Sequence, residues 1–297
     1  MDSDCATSKR EDENLPGLHG SIGYTVMPSS PEKRRPILGV STKMYFSLAR
    51  TRSYVDKVLA LLADQKAIFD RIDVFVCPDA VSLPSVVEQV KSSGLPLLAG
   101  GQDCAADDYG AFTGFLSPAV LAECGARLVE VGHAERRRLL GETDTTTAAK
   151  AAAAARNGLI PLVCVGETAL PVKMSTDADV AASAAAAVAT VIDQITPVLD
   201  GLPDDAEVLL AYEPVWAIGA AQPASAAYVR AVVSGIRDRS LSIQRRGAAR
   251  TRILYGGSAG PGLFEQLHGT VDGLFLGRFG HDAKQFLKTA QEVAGFL

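Results

Sequence analysis

Eight short apolar runs recur along the chain from residue 36, and their spacing constrains the fold more than any other feature of the sequence. Each run is rich in Val, Ile or Leu and does not alternate between apolar and polar residues, as is typical of strands buried on both faces of a parallel sheet. The runs are Ile37–Ser41, Asp73–Cys77, Pro96–Gly100, Leu128–Val131, Leu159–Val165, Val208–Tyr212, Arg252–Tyr255 and Gly273–Leu276. The sequence therefore predicts a sheet of eight strands, each buried on both faces.

Helix-like segments lie between these runs, with apolar stripes or alanine-rich stretches of high helix propensity. They are Tyr54–Leu62, Thr145–Arg156, Ala178–Leu199, Ala224–Arg239 and Ala283–Phe296. Alternating strands and helices over most of the chain predict a single α/β barrel of eight strands. The alternative is an open doubly wound sheet, which favours a glycine-rich turn after the first strand. That position is occupied by Ser41-Thr42-Lys43-Met44, so the barrel is favoured.

The composition argues against a nucleic-acid-binding or membrane protein. The net charge is -5, whereas a general nucleic-acid-binding protein is usually basic. No apolar run approaches the ~18 residues of a membrane span, and the nearest, Val180–Ile192, is mostly alanine and is predicted to be a helix. The same negative charge repels anions at long range, so any phosphate site must be built locally.

The cysteines form neither a CxxC pair nor a zinc-like cluster. They are Cys5, Cys77, Cys104, Cys124 and Cys164. An odd, scattered set is typical of a reducing compartment, where free cysteines behave as small buried apolar residues. We therefore expect a cytoplasmic protein.

Residues 1–35 differ from the rest of the chain. They are rich in charged residues, Pro, Gly and Ser and show little periodicity, which favours a disordered extension. Their acidic residues argue against a mitochondrial presequence, and they lack the apolar core of a secretion signal. We expect this extension to precede a barrel domain over residues 36–297. Translation from Met27 is a further hypothesis, and a native N-terminal peptide from upstream of that residue would refute it.

Chemically capable side chains follow five of the eight predicted strands. The active site of such a barrel lies at the carboxyl ends of its strands. The groups there are Lys43 after the first strand, Gly132–Arg136 after the fourth, Glu213 after the sixth, Gly256–Ser258 after the seventh, and Gly277 and Arg278 after the eighth. Each is a weak signal alone, but their placement at one end of the barrel predicts an active site.

Glu213 is the predicted base of this site. Its neighbours Tyr212 and Pro214 form an apolar setting, which disfavours the charged carboxylate and raises its basicity. A surface carboxylate at the start of a loop is the alternative. Residues 214–228 are uncharged and contain Gly219, a pattern that favours a lid that closes over the site and keeps water out.

His133 and Lys43 are the other titratable candidates. A neutral His133 at a strand end can donate a proton to a carbonyl oxygen, although a lone histidine is more often structural. Lys43 follows a buried strand, where a cation is costly without a partner or a purpose. Glu135 can hold this lysine in place, and a salt bridge that only closes the barrel end is the alternative.

The turns after the last two strands favour a phosphate site. Phosphate sites in barrels are often built there from backbone N–H groups, and glycines such as Gly256, Gly257 and Gly277 let the backbone approach a ligand closely. Ordinary tight turns would produce the same pattern.

From about Ile37 to Leu297 the chain resembles the triosephosphate isomerase family. The segments that carry the resemblance, in the family's order and spacing, are Thr42-Lys43-Met44, residues 110–114 (Gly-Ala-Phe-Thr-Gly), residues 132–137 (Gly-His-Ala-Glu-Arg-Arg), residues 164–167 (Cys-Val-Gly-Glu), residues 211–219 (Ala-Tyr-Glu-Pro-Val-Trp-Ala-Ile-Gly) and residues 255–258 (Tyr-Gly-Gly-Ser). The Glu-Pro-Val-Trp-Ala-Ile-Gly run is highly specific for this family.

The resemblance implies a role for each candidate. Glu213 matches the family's base, His133 its electrophilic histidine and Lys43 its active-site lysine, which Glu135 positions. Gly219, Ser258 and Gly277 match phosphate-contacting positions. Triosephosphate isomerase is itself a standard example of a glutamate base with a neutral histidine and a closing loop, so these roles are inherited from the family.

The implied reaction interconverts glyceraldehyde 3-phosphate and dihydroxyacetone phosphate through an enediolate, as in glycolysis and gluconeogenesis. It needs no metal and no organic cofactor. The expected partner is therefore a small phosphorylated sugar, with no nucleic acid and no membrane. Residues 110–114 match a loop that inserts into a second subunit, so the resemblance also implies a homodimer.

Departures from the family pattern bear on the substrate. Ser41 stands where members usually have Asn, Thr42 replaces Trp, Ala134 replaces Ser, residues 220–222 replace the lid's Thr-Gly-Lys, and Arg278 replaces a phosphate-loop Gly. Shorter side chains leave more room, and an arginine can bind a phosphate or a hydroxyl with two hydrogen bonds. We therefore include Ser41 and Arg278 among the expected substrate contacts.

Relatives that isomerise four-carbon erythrulose phosphates are similar at these positions. Isomerisation of a triose phosphate is the leading expectation, and isomerisation of a tetrulose phosphate such as L-erythrulose 1-phosphate is the alternative. A catalytically silent barrel that acts as a binding protein is a third possibility, which the joint retention of Lys43, His133, Glu135 and Glu213 disfavours.

Overall fold

The strands close into a parallel barrel in which β8 pairs with β1. The structure, a computed structural model, describes residues 35–169, 176–220 and 223–295. Its strands are β1 (Ile37–Ser41), β2 (Asp73–Cys77), β3 (Leu97–Gly101), β4 (Leu128–Val131), β5 (Ile160–Val165), β6 (Val208–Tyr212), β7 (Thr251–Tyr255) and β8 (Gly273–Leu276). Every strand thus has two neighbours, which confirms the predicted barrel and excludes the open sheet.

Helices separate the strands and form the outer layer. Those in the described ranges are α1 (Leu48–Ala63), α2 (Leu83–Ser93), α3 (Pro118–Cys124), α4 (Ala134–Leu140), α5 (Asp144–Arg156), α6 (Asp177–Asp200), α7 (Ala226–Arg239), α8 (Leu241–Arg246), α9 (Leu263–Leu267) and α10 (Ala283–Gly295). The five predicted helices are all present. The sequence reading did not identify α2, α3, α4, α8 and α9, most of which are too short to show a clear apolar stripe.

Element ends differ from the predictions by a few residues. The strands β3, β5 and β7 each begin one residue away from the predicted start. Helix α1 begins at Leu48, six residues before the predicted Tyr54, because the side chain of Ser47 accepts a hydrogen bond from the backbone of Arg50 and caps the first turn. The apolar stripe alone does not reveal this polar first turn.

The barrel interior is filled by side chains from all parts of the sheet. Its apolar residues are Ile37, Phe75, Cys77, Leu128, Leu162, Cys164, Leu209, Ala211, Leu254 and Phe275. Phe75 lies across the interior, stacked on Phe275 with ring centroids 5.5 Å apart. A Cβ at Gly39 would lie only 1.9 Å from the Phe75 ring, so glycine at this position makes room for the phenylalanine.

Helix α6 is long and apolar enough, by length and composition, to cross a membrane, and it is the only such helix among the described residues. The expectation from the sequence that no run approaches the length of a membrane span is therefore wrong for this helix. Ala187, Val191 and Ile195 recur every four residues along it, are buried, and belong to the core between strands and helices. This one-sided burial is that of an amphipathic helix in the outer layer of a barrel.

The predicted extension over residues 1–35 lies outside the described residues except for Arg35, as do Met27 and Cys5. Those predictions stay predictions. The other cysteines, Cys77, Cys104, Cys124 and Cys164, are all free.

Candidate active site

The carboxyl ends of β1, β4 and β6 bring three side chains together that are far apart in the sequence. Lys43 Nζ lies 3.3 Å from His133 Nε2, and His133 Nε2 lies 3.4 Å from Glu213 Oε2. The structure thus unites the three predicted catalytic groups in one cluster, which we call the catalytic trio.

Glu213 is enclosed by backbone from two neighbouring strands. Its side chain is nearly inaccessible, and the whole residue is 5% exposed. A Cβ at Gly166 would lie 2.0 Å from the Glu213 carbonyl oxygen, and a Cβ at Gly256 would lie 2.4 Å from its Oε1. Only glycine at these two positions therefore leaves room for the glutamate.

The Oε2 atom of Glu213 is buried and has no hydrogen-bond partner among the described residues. Buried polar atoms are rarely left unpaired unless they have a functional role. Burial raises the pKa of Glu213 to about 8, with a further contribution from the negative charge of Glu130, while the positive charge of Lys43 opposes the rise. A carboxyl of this kind is suited to take a proton from a weak acid.

His133 is held in one orientation by the start of α4. It is the N-cap residue of that helix, and its Nδ1 accepts a hydrogen bond of 3.1 Å from the backbone N–H of Glu135. The neutral ring therefore carries its proton on Nε2, which faces Glu213 and Lys43. Burial, assisted by the positive charge of Lys43, lowers the pKa of His133 to about 4, so the imidazole is neutral near pH 7 and can donate from Nε2.

Lys43 has a backbone φ of 47°, and it is the only non-glycine residue with a positive φ in the described ranges. Such strain is often found at functional sites. Its Nζ donates a hydrogen bond of 2.9 Å to Glu135 Oε1. Burial alone would lower the pKa of Lys43, but the hydrogen bond to Glu135 and the charge of Glu213 outweigh burial and raise it. The ammonium group therefore stays charged, with Glu135 as its fixed partner.

The ends of β7 and β8 contact the segment predicted to be a lid. Ser258 Oγ donates to the carbonyl oxygens of Ala217 and Ala220, at 2.9 and 3.0 Å. Arg278 Nη2 donates to the carbonyl oxygen of Gly219 at 3.1 Å. Of the predicted phosphate contacts, Ser258 and Arg278 thus hold the start of the lid, and Gly219 is the residue that Arg278 contacts.

The remaining two predicted contacts differ in their surroundings. Ser41 is buried, and its Oγ lies 3.4 Å from the backbone N–H of Lys43. Gly277 has open space where a Cβ would stand. Residues 221–222, in the predicted far hinge of the lid, lie outside the described residues.

Glu167 is a site residue to which the sequence reading gave no role. This buried carboxylate accepts hydrogen bonds of 2.8 Å from Trp216 Nε1 and from Tyr228 Oη, and the hydroxyl of Tyr212 also reaches it. It therefore ties both ends of the lid segment to β5. Its position directly after β5 was the available signal, since the other candidates follow strands in the same way.

Glu130 and His281 were also missed. Glu130 lies in β4, and a carboxyl within the apolar run Leu-Val-Glu-Val was a visible exception to the pattern. His281 Nε2 lies 2.9 Å from the carbonyl oxygen of Ser41 and links the turn after β8 to the end of β1. No sequence pattern marks that contact, because the two segments meet only when the barrel closes.

Comparisons with known proteins identify what this site is similar to. A family model described as triosephosphate isomerase matches residues 36–293. The chain is 42% identical over 255 residues to the L-erythrulose-1-phosphate isomerase of Pectobacterium atrosepticum, covering 85% of this chain and 93% of that protein. It is 38% identical over 259 residues to the triosephosphate isomerase of Leifsonia xyli subsp. xyli, covering 86% and 95%. The crystal structure of triosephosphate isomerase from Bartonella henselae matches with a TM-score of 0.69 and 31% identity, covering 87% of this chain and 98% of that one.

The carboxyl of Glu213 should ionise with a midpoint near pH 8, because burial and the charge of Glu130 raise its pKa from the ordinary 4.5 to about 8. The measurement is ¹³C NMR of protein labelled at glutamate carboxyls, titrated without ligand from about pH 4 to about pH 10. Glu213→Gln removes the resonance and so assigns it. A midpoint near 4.5 would mean a solvated carboxylate and would contradict the buried geometry.

Proposed function

Because the chain belongs to the triosephosphate isomerase family, we propose that it is a sugar-phosphate isomerase whose substrate is a four-carbon ketose phosphate of the L-erythrulose 1-phosphate type. The observation that carries this proposal is the pair of short side chains, Ser41 and Ala134, beside the catalytic trio. Ala134 lines the small cavity next to Glu213, and Ser41 ends the strand that leads to Lys43.

A tetrulose phosphate differs from a triose phosphate by one hydroxymethyl group at the carbonyl end. In a ketose 1-phosphate the carbon that bears the phosphate has no free hydroxyl, so the carbonyl can move only to the carbon on the other side. That carbon loses the proton, and in the tetrulose it also carries the additional hydroxymethyl. Short side chains beside the trio leave room for this group, whereas Asn and Ser at the same positions would occupy it.

Arg278 is a second observation in favour of the larger substrate. Its guanidinium lies just after β8 and contacts the lid at Gly219. At position 278 the family usually has a glycine, which has no side chain. A guanidinium presents several N–H donors in a fixed plane and binds phosphate or hydroxyl oxygens with more than one hydrogen bond. The name of the Pectobacterium relative agrees with this assignment, while the Leifsonia relative keeps the triose as the second candidate.

The chemistry follows from the geometry of the trio. Glu213 removes the proton from the carbon beside the carbonyl, and the electron pair moves onto the carbonyl oxygen to form an enediolate. His133 donates from Nε2 and Lys43 supplies a positive charge, so both stabilise the developing oxyanion. His133 gives its Nε2 proton to that oxygen and takes up the proton of the hydroxyl on the adjacent carbon, so the negative charge moves to the second oxygen. Glu213 then returns its proton to the carbon that first carried the carbonyl, the second oxygen becomes the new carbonyl oxygen, and the 1-phosphate of the ketose becomes its 4-phosphate. All of these groups come from the chain itself.

The lid matters because an exposed enediolate phosphate can eliminate its phosphate. A closed lid excludes water and strengthens every electrostatic interaction inside the site. Ser258, Arg278 and Glu167 hold the described parts of the lid by hydrogen bonds. We propose that these contacts keep the lid over the bound substrate during proton transfer. The expected cytoplasmic location and the place in glycolysis or gluconeogenesis stay predictions.

Replacing Glu213 with Ala should lower turnover by about 10² to 10⁴, the usual effect of removing a positioned base. The measurement is kcat on the better of the two substrates, with circular dichroism to confirm folding. Glu88→Ala is the matched control, because Glu88 is an exposed glutamate on α2, and it should leave turnover unchanged. Full activity of the Glu213 variant would exclude this carboxylate as the base, and an inactive parent protein would favour the silent barrel.

The purified protein should show a higher kcat/KM on L-erythrulose 1-phosphate than on glyceraldehyde 3-phosphate, assayed side by side. The reason is the room beside Ser41 and Ala134. Ser41→Asn should then lower kcat/KM for the tetrulose more than for the triose, because the longer side chain fills the space for the hydroxymethyl group.

Arg278→Gly is the companion variant for the same comparison. It should raise KM for the tetrulose phosphate, because a donor to the substrate and to the lid is lost. A clear preference of the parent protein for the triose would refute the tetrulose assignment and make the triose phosphate the substrate. An unchanged or lower KM in the Arg278 variant would exclude a role for this residue in binding the substrate.

The predicted homodimer has support from the loop between β3 and α3. Tyr109, Phe112 and Phe115 are exposed there, and clustered exposed aromatic side chains are typical of interaction sites. Light scattering should give about twice the mass of one chain, 31.1 kDa. Phe112→Glu should shift the mass to that of one chain, whereas Leu241→Glu, at another exposed apolar residue, should not. A single-chain mass for the parent protein would contradict the dimer.

A further inference from the structure

Glu130 is a buried carboxyl for which the proposed reaction has no direct use. It lies in β4 two residues after Leu128 and therefore shares the inward face of the strand. The residue is 4% exposed. A charge inside a barrel is strongly unfavourable without a partner, and the surrounding interior is apolar. An aliphatic residue would fill this position with less cost to the fold.

The two oxygens of Glu130 are poorly satisfied. Its Oε1 accepts a weak hydrogen bond from the Cys164 thiol at 3.8 Å, and its Oε2 is buried without any hydrogen-bond partner in the described part of the chain. No ion pair compensates this carboxyl directly within that part of the chain, although the positive charge of Lys43 and a hydrogen bond with the Ser41 hydroxyl lower its pKa. Cys164, which contacts Glu130, also lines the small cavity beside Glu213, so one side chain separates the Glu130 carboxyl from that cavity.

Charged and titratable groups face Glu130 from most of the surrounding strands. They are Lys43 after β1, Cys77 in β2, Asp103 after β3, Glu135 after β4, Cys164 in β5 and Glu213 after β6. Among them Lys43 is the one cation, and it is already paired with Glu135. The negative charge of Glu130 therefore acts on the other buried carboxyl, that of Glu213, and raises its pKa.

Both buried carboxyls have raised pKa values. Burial raises the pKa of Glu130 to about 7, with Lys43 opposing the rise, whereas the pKa of Glu213 is raised to about 8. The negative charge of Glu130 therefore opposes ionisation of Glu213 in the same low-dielectric interior.

We propose that Glu130 is a positioning residue that acts through Glu213: its negative charge inside the barrel makes Glu213 a stronger base. This inference rests on the proposed role of Glu213 in proton transfer. A stronger base removes a proton from carbon more readily once it is ionised, but a smaller fraction of it is ionised at low pH. The charge of Glu130 thus lowers activity at low pH and speeds proton transfer at higher pH.

The test compares the parent protein with Glu130→Gln, which keeps the shape of the side chain and removes its charge. In the ¹³C NMR titration without substrate, the midpoint of Glu213 should fall by on the order of one pH unit. The pH profile of kcat/KM reports the pKa values of the free enzyme, and its acid limb should move to lower pH by the same amount. The plateau at high pH should be lower than in the parent, because the base is weaker.

Cys77→Ser is the matched control, since it changes a buried side chain in the same barrel interior without changing charge. It should lower the thermal unfolding temperature and leave the acid limb in place. Glu130→Ile is a second variant in case the glutamine variant does not fold, because an aliphatic side chain suits the apolar interior. It should shift the acid limb in the same direction.

An unchanged Glu213 midpoint in both Glu130 variants would overturn the inference, whatever their activity. A purely structural role would instead lower stability and kcat without moving the midpoint, as expected for Cys77→Ser. If Glu213→Gln kept full activity, the proposed role of Glu213 as the base would fail, while the NMR titration of the parent and the Glu130 variants would still decide whether the two carboxyls are coupled. The two failures are therefore distinguishable.

Discussion

Desolvation of Glu213 is the constraint on which the rest of the site depends. A carboxylate in water is too weak a base to take a proton from carbon, and burial at the end of β6 raises its pKa to about 8. That burial requires backbone on two sides, which Gly166 and Gly256 provide because a Cβ at either position would collide with the glutamate. The same low-dielectric surroundings lower the pKa of His133 to about 4, so one physical cause shifts the pKa values of the proposed base and the proposed proton donor in opposite directions.

The arrangement has a cost for the fold. Glu213 and Glu130 have pKa values in the folded protein, about 8 and about 7, above their ordinary 4.5. Each group favours the folded state fully below its unfolded pKa and loses that contribution as the pH rises through its folded pKa. At neutral and alkaline pH these carboxyls therefore oppose folding, and the closed barrel with its filled interior must offset them. Sites of this kind commonly reduce stability in exchange for activity.

The fold and the catalytic trio could be predicted from the sequence because both depend on local patterns. Short non-alternating apolar runs indicate buried parallel strands, and the polar residue that follows each run must lie at the same end of the barrel. Contacts across the barrel could not be predicted in this way. The distance between His281 and Ser41, or between Arg278 and the lid at Gly219, depends on closure of the sheet. The position of Glu130 is not predictable either, because a single carboxyl within the apolar run of β4 leaves the strand pattern intact.

The proposed catalytic groups and the proposed substrate contacts are different residues at the same end of the barrel. The trio comes from β1, β4 and β6, while the substrate contacts proposed here come from Ser41, Ala134 and the turn after β8. A larger sugar can therefore be admitted by shortening two side chains and adding Arg278, with no change in the distances among the trio. Since proton transfer depends on those distances, the proposed change of substrate requires no change in the proposed chemistry. This separation explains how relatives named for triose and tetrulose phosphates can match one chain over nearly the same residues.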